Sequence, residues 1–514
     1  MAAIEDNASP RVYKLAPSTI LGVILVSVVY FADIFLKASH KCFWFDELFT
    51  TYLCRLPNFS TTWAAVTHGA DFNPPLLYLL THFVQWLFGE GLIATRLPAT
   101  VGVWLFGVCL FLFVARRAGA LAGFIAGAFP FFTLAQYYAY EARAHGIVLG
   151  WCGLTLICWQ RNAEGRGKYL WLAGFGLCLA GALLTHVYAV YLLVPFALVE
   201  FYEVLRARRP NWSIVGVMLL ALVSVTVAVY LPLFRVYRMT VPSTFRPGSH
   251  DIVQRFLVNA IGPAMVILLL ALFLLALDGV RRVQHANSPP FIPGREILLA
   301  VGFACIPLVG LLGSKISHGP FIERYFLSSV TGYAVFLGFA TSRRAASPWV
   351  AQVLAGCMFF LMLADLGSTI YLTSKQRLVI IEPSGGIVLS TTPSDPMRLY
   401  DTLSVNNKGL DTLVLPNLEY LYFFRYAPAA VVSHLYFAAP ADDLFLVAYE
   451  RLAIGARIDL KTTSFGPFLA SHNQFLVYES GNMQIDAVEA IAKAGYTLKS
   501  ARADAAGSMY EYAK

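Results

Sequence analysis

The sequence predicts a polytopic α-helical membrane protein: about eleven transmembrane helices, a juxtamembrane helix in the first outer loop and a C-terminal soluble α/β domain. Three observations lead there. The 514 residues are 58% hydrophobic and only 13% charged, with a mean hydropathy of +0.63, more apolar sequence than a soluble core can use. The apolar residues come in runs close to the roughly 20 that a helix needs to cross the bilayer core. After residue 372 the runs stop, and the chain becomes polar with short β-type stretches. The formal net charge of +8 is spread in short clusters between apolar runs, where topology and lipid phosphates account for it. That pattern excludes nucleic acid as a partner.

The spans lie near 18–37, 97–115, 120–138, 144–160, 169–184, 186–205, 213–233, 256–277, 297–313, 326–342 and 349–372. The first is long and no small-residue cleavage site follows it, so it reads as a retained helix rather than a signal peptide. Pro74 to Phe88, after Asn73-Pro74-Pro75, carries His82, Gln85 and Trp86 and reads as an amphipathic helix lying at the interface. Counting it as a span would invert everything behind it. Lys and Arg set the orientation. Fifteen lie on the N-terminal side (Arg11, Lys14, Arg116-Arg117, Arg161, Arg166, Lys168, Arg206, Arg208-Arg209, Arg281-Arg282, Arg295, Arg343-Arg344), against eleven on the other. The N-terminal side is therefore expected in the cytoplasm. Residues 1–17 form a cytoplasmic N-terminus, 18–372 the transmembrane domain and 373–514 an extracytoplasmic α/β domain.

In that last domain Gly386 to Ser390 and Phe475 to Tyr478 read as strands, and Asp486 to Ala494 as a helix ended by Gly495. It has no cysteine and no catalytic motif, so a scaffold is preferred over a lid or a capture module. Six of the eight cysteines, Cys109, Cys152, Cys158, Cys178, Cys305 and Cys357, fall in or beside spans as packing residues. Cys42 and Cys54 flank an acidic pair, and their spacing leaves a disulfide open. No Cys/His spacing resembles a zinc site.

Four clusters fall on the outer side. Phe43-Trp44-Phe45-Asp46-Glu47 puts two carboxylates a few residues past the first span, at the membrane–water boundary, where desolvating a charge is costly. As a lone pair it would be ordinary surface. Tyr137 to His145 holds Glu141 and Arg143, which are either an ion pair capping two helix ends or a second carboxylate with a hydroxyl-binding arginine. Thr185-His186-Val187-Tyr188 occupies a very short turn, where a histidine is more often structural than catalytic. Lys315 to Tyr325 carries Arg324, which either snorkels or grips a phosphate in a bidentate fork. All four share one face of the membrane.

The run Trp44-Phe45-Asp46-Glu47, the helix start Asn73-Pro74-Pro75-Leu76-Leu77-Tyr78 and Arg96-Leu97-Pro98 occur in that order. With Glu141-Ala142-Arg143, Thr185-His186-Val187-Tyr188 and Arg324-Tyr325, this resembles the bacterial branch of the C-type membrane glycosyltransferases. These are related to protein O-mannosyltransferases and lipid A aminoarabinose transferases. The resemblance covers roughly residues 18–342. It implies an inverting glycosyltransferase of a bacterial inner membrane, moving a sugar from a polyprenyl-phosphate carrier to an acceptor hydroxyl on the extracytoplasmic face. The acceptor is a glycan, lipid or protein. By position Asp46 is implied as the general base, Glu47 as a residue that orients the acceptor or Asp46, and Glu141 as a second acid that binds sugar hydroxyls. Arg143, His186, Lys315, Arg324 and Tyr325 are implied at the donor phosphate. No cofactor is certain: a divalent metal held by Asp46 and Glu141 stays open, since arginines can stabilise a leaving phosphate. The chain departs from the family at Ala144-His145, where many relatives have Pro-Tyr, and at Phe326-Leu327-Ser328, where relatives often have Leu-Leu-Pro.

The alternative is a transporter or flippase for a lipid-linked glycan, using the same basic loops. Against it stand the lack of an internal repeat, of paired interrupted helices and of an intramembrane charge relay in the sequence. The predicted topology has a direct check: a reporter active only in the cytosol stays silent when fused after Lys514. Reporter activity there would put the tail in the cytoplasm.

Overall fold

The computed structural model describes residues 16–165, 167–207, 211–240, 256–282, 292–317, 321–342, 346–375, 379–380, 389–390, 409–415, 419–441, 443–479, 485–504 and 507–514. Inside a bilayer a backbone must satisfy its own hydrogen bonds, and the apolar runs accordingly form helices. Among the described residues six helices are long and apolar enough to cross: Pro17–His40 (α1), Leu92–Ala118, Lys168–Thr185, Val187–Arg206, Trp212–Arg238 and Pro348–Ser374. Two more expected spans are bent pairs, Ala120–Phe132 with Leu134–Tyr140 at 66° and Gly294–Ala304 with Ile306–Ile316 at 45°. The remaining three expected spans are the helices Ala144–Ala163, Gly262–Arg282 and Val330–Ala340, the last entered through a 3₁₀ turn, Glu323–Ser329. Residues 1–15 of the expected N-terminal segment 1–17 and the basic residues Arg166, Arg208, Arg209, Arg343 and Arg344 lie outside the described residues.

Three short helices follow α1: Phe45–Cys54 (α2), Phe59–Thr67 (α3) and Leu76–Phe88 (α4). The last of these is the expected interface helix. Its inner face buries Leu77, Tyr78, Thr81 and Gln85, while Trp86 is 73% and Phe88 67% exposed. Such a wide apolar outer face suits the headgroup–acyl boundary.

Helix Leu92–Ala118 (α5) and helix Ala144–Ala163, counted here as α6, form the centre of the bundle. They approach so closely that a Cβ on Gly150 would lie 2.9 Å from Gly102 Cα, and one on Gly146 would lie 2.8 Å from Ala99 O. Small residues at a helix crossing are the usual route to close packing in lipid. At one end of the bundle Arg116, Arg117 and Arg161 surround Glu164, and Arg117 reaches Glu296 at 2.8 Å. At the opposite end lie the first outer loop and the tail.

A charged cluster lies within the spans, where the sequence reading expects no intramembrane charge relay. Lys37 Nζ of α1 is 2.8 Å from Asp33 Oδ2 and 2.8 Å from Asp365 Oδ2 on the last long helix. Gln136 donates to Asp365 at 2.7 Å, and Thr369 donates to Asp33 at 2.8 Å. The two spans are joined across 328 residues of sequence, a separation no local pattern bridges.

The tail is a mixed sheet flanked by helices. Its strands are Val379–Ile380 (β1), Leu389–Ser390 (β2), Thr412–Val414 (β3), Leu435–Ala439 (β4), Thr462–Ser464 (β5), Gln474–Glu479 (β6), Thr497–Asp504 (β7) and Gly507–Ala513 (β8). β1 and β2 pair as a small ribbon; the main sheet runs β5-β4-β3-β6-β8-β7, with β3, β4, β5 and β6 parallel and the hairpin β7–β8 antiparallel. The expected strand Phe475 to Tyr478 falls within β6, and the expected helix is Ile485–Lys493, followed by Gly495 at φ +85°. The expected strand at Gly386 to Ser390 is described only at β2; residues 386–388 lie outside the described residues.

The tight crossing yields an expected outcome. Gly150→Leu lowers the melting temperature in detergent, by an overpacking cost of about 1–3 kcal/mol or more. Gly22→Leu, with nothing within 4 Å of the added Cβ, leaves it unchanged. Equal melting temperatures for both variants would refute the crossing.

Candidate active site

The geometry starts from the first turn of α2. Acidic residues there meet the positive end of the helix, and Glu47 accepts from the Trp44 N–H at 3.3 Å, the reciprocal half of a capping box. Helical residues step by about 100°, so Phe45, Asp46 and Glu47 point in three directions. Glu47 points towards Arg96 and Lys41, Asp46 towards Arg143 and Arg324, and Phe45 towards the tail.

Glu47 is fully buried. Arg96, near the start of α5, grips it in a fork, Nε to Oε1 at 2.8 Å and Nη2 to Oε2 at 2.7 Å. Lys41 donates to Oε2 at 3.0 Å, and the Ala142 N–H donates to Oε1 at 2.7 Å. Burial pushes the carboxyl up, but the charges of Arg96 and then Lys41, with the hydrogen bonds, more than reverse this and hold it at about 2. Glu141 is buried beside it, one oxygen taken by Lys41 and the other by the Trp44 indole N–H.

Asp46 differs from its neighbour in every respect. Its side chain is 22% exposed, and Oδ2 stands 3.7 Å from a guanidinium nitrogen of both Arg143 and Arg324. These are ion pairs too long to be hydrogen bonds, so the carboxylate is oriented without being locked. Arg143, the residue before α6, also donates to the Asp46 backbone oxygen at 3.1 Å and to Asp71 Oδ2 at 3.3 Å. Its burial favours the neutral form, but Asp46 and then Asp71 outweigh that and raise it above the ordinary arginine value.

The 3₁₀ turn Glu323–Ser329 brings Arg324 and Tyr325 to the same place. Tyr325 stacks on Tyr188 with centroids 4.1 Å apart and lies 5.2 Å from the His186 ring. His186, at the break between two spans, is pushed by burial, then by Arg143 and Arg324, down to about 3. It is therefore neutral, and because Nδ1 accepts from the Tyr188 N–H at 3.2 Å, its proton sits on Nε2. A neutral imidazole N–H and two guanidinium groups form a set that suits an anionic oxygen.

Of the sequence-named residues, the structure brings Asp46, Arg143, Arg324, Tyr325 and His186 together. Glu47 and Glu141 lie behind them as buried partners of Arg96 and Lys41. Lys315 is exposed in the last turn of helix Ile306–Ser317. The sequence reading missed Asp71. Its carboxylate accepts from Tyr78 Oη at 2.7 Å and Asn73 Nδ2 at 3.1 Å, so the Asn-Pro-Pro motif that reads as a helix start also holds an acid. That carboxylate two residues before the motif was the available signal. Among the described residues no group of three or more His, Cys, Asp or Glu could hold a metal. Of the pair left open for a metal, Glu141 has one oxygen held by Lys41 and the other by the Trp44 indole N–H. Cys42 and Cys54, left open as a disulfide, are buried free thiols.

Arg96→Met leaves Glu47 buried with an uncompensated charge and costs about 3–5 kcal/mol, while adding Glu47→Met recovers most of it. Thermal melts of the two variants and the double variant check this. The pH sign follows from the depressed carboxyl. The unfolded chain takes the proton near 4.5 and the folded chain only near 2, so this contribution is full above 4.5 and is lost as pH falls through 2. Melts from pH 6 downwards show the decline in wild type and lack it in the double variant.

No family model matches the chain, and no curated protein matches its sequence. Among solved structures it is similar to ArnT from Cupriavidus metallidurans in the apo state, at 14% identity, covering 96% of this chain and 97% of that one with a TM-score of 0.49. The same protein bound to undecaprenyl phosphate matches at 15% identity, 97% and 98% coverage and a TM-score of 0.48. The Archaeoglobus fulgidus oligosaccharyltransferase in complex with zinc and sulfate matches at 11% identity, 80% of this chain and 61% of that one, with a TM-score of 0.42.

Proposed function

We propose that this chain is an inverting membrane glycosyltransferase that takes a sugar from a polyprenyl-phosphate carrier and passes it to an acceptor hydroxyl outside the cytoplasm. One observation carries the reading: a partly exposed carboxylate, Asp46, stands 3.7 Å from two arginines, Arg143 and Arg324. The order of the sequence motifs that resemble the C-type transferases supports it independently. The protein is a multi-pass enzyme of a bacterial inner membrane, with the loop cluster and the tail on the extracytoplasmic side.

The chemistry follows from the charges. Arg324 and Arg143 turn from Asp46 to the donor phosphate, and His186 gives it an N–H. The acceptor oxygen attacks the anomeric carbon from the side opposite the phosphate. The bond from that carbon to the phosphate oxygen breaks, and the electron pair leaves with the phosphate, whose charge the arginines stabilise. As the new bond forms, the hydroxyl proton passes to Asp46. A carboxylate suffices as base because the hydroxyl becomes strongly acidic only while it is attacking. Attack from the opposite side inverts the centre, as in other single-displacement glycosyl transfers. Asp71 fixes Arg143, while Glu47 and Glu141 hold the loop from within.

Purified protein is incubated with radiolabelled polyprenyl-phosphate sugars and a membrane-lipid extract, wild type beside Asp46→Asn. Label moves to an acceptor with wild type and falls by about 10²–10⁴ in the variant, the usual contribution of a general base. Equal transfer by both removes Asp46 from the chemistry. Tight donor binding without transfer by either favours the transporter reading.

A further inference from the structure

The tail packs on the outward face of the helix that bears Asp46. Phe45, Phe49 and Tyr52 of α2 lie on one face at helical spacing. Phe45 meets Phe445 edge-on at 5.6 Å and Tyr449 at 5.9 Å, both on the tail helix Leu444–Ala456. Phe49 stacks on Tyr449 at 6.4 Å, and Tyr52 meets Phe424 at 6.3 Å. Just before α2, the Phe43 N–H donates to Tyr426 Oη at 2.8 Å. A second contact anchors the same tail helix: a Cβ on Gly455 would lie 2.9 Å from Ala65 Cβ of α3.

The tail side of this contact is rigid. Tyr449 is fully buried and sits edge-on to Phe437 of β4 at 5.0 Å and to Tyr420 at 5.4 Å. The receptor for Phe45 is therefore built on the tail's own sheet. From the other side Glu47 is fixed by Arg96, Lys41 and Ala142. Asp46 lies between these two anchors in sequence and about 100° from each in direction. Neither anchor touches its carboxylate, yet together they set the rotation and depth of the first turn.

We infer that the C-terminal domain is a positioning element of the site, in which Phe445 and the Tyr426 hydroxyl hold α2 at the rotation that aims Asp46 at Arg143 and Arg324. This rests on the transferase reading above. A group displaced by about 1 Å can lose a hundredfold in rate, so a modest loosening of α2 is felt in turnover. The donor phosphate is bound by Arg324, Arg143 and His186, none of which the tail helix carries, so donor binding is spared.

The test uses the full chain, with kcat and donor KM measured for wild type, Phe445→Ala, Phe445→Tyr and Tyr426→Phe, and Asp46→Asn in parallel. Phe445→Ala lowers kcat about tenfold or more and Tyr426→Phe a few-fold, each with donor KM changed less than about threefold. Phe445→Tyr, which refills the contact, restores most of the rate. Unchanged kcat in both Phe445→Ala and Tyr426→Phe, with Asp46→Asn inactive in the same assay, overturns the inference. So does a raised donor KM at wild-type kcat, which would make the tail a donor-binding surface. Full transfer by Asp46→Asn instead overturns the transferase site itself. If Phe445→Ala fails to fold, Tyr426→Phe, which removes a single oxygen, decides alone.

Discussion

The end of the bundle that meets the tail depends on one buried carboxylate, Glu47. Glu47 is closed off from water and is held there by a guanidinium fork, an ammonium and a backbone amide. An ion so placed is tolerable only when its charge and lone pairs are met. The balance is strict, because Glu47 and Glu141 carry two negative charges and Arg96 and Lys41 two positive ones. Arg96 does more than neutralise. It donates to the backbone oxygens of Ala38 and Lys41 at 2.6 Å and of Cys42 at 3.0 Å, tying up carbonyls at the end of α1 where a helix is partially negative. The Phe43 ring lies 4.9 Å from the same guanidinium. One arginine thus joins the first span, α2 and the start of α5.

From that anchor the difference between two adjacent acids follows. Asp46 and Glu47 share a helix turn, and only their rotation separates them. One is buried and paired; the other is left with two arginines at a distance that orients it without neutralising it. Arg143 belongs to both arrangements, because it holds the Asp46 backbone and reaches Asp71. The segment Glu141–Arg143 therefore serves twice. Glu141 faces inward to Lys41, and Arg143 faces Asp46 and Asp71.

The same face of α1 continues downward. Lys37 is one turn below Lys41 and pairs with Asp33 and Asp365, which ties the first long helix to the last. Charges within a span are expensive unless they meet a partner, and here each does. At the far end of the bundle the Glu164 and Glu296 clusters close the opposite loops. The membrane domain is thus pinned at both ends and once between by ion pairs, with small-residue packing at its centre.

Much of this was legible in the sequence, because the relevant physics is local. Apolar runs of bilayer length must be helices, the Asn-Pro-Pro step must start one, and polar composition after residue 372 must mark a separate domain. Asp46, Arg143, His186, Arg324 and Tyr325 could be named because each sits at a span end on one predicted face. What each acid does could not be read, since burial is a property of neighbours distant in the chain. Glu47 is made structural by Arg96, forty-nine residues on, and Glu141 by Lys41, a hundred residues back. Asp71 joined the site only because the fold carried Arg143 to it, and Asp33 met Asp365 only because the first and last spans pack together. The sequence by itself determined that the apolar runs are helical, and it named residues that the fold gathers at one end of the bundle. The tertiary structure decided which carboxylate is exposed, because exposure is what remains after packing has covered the rest.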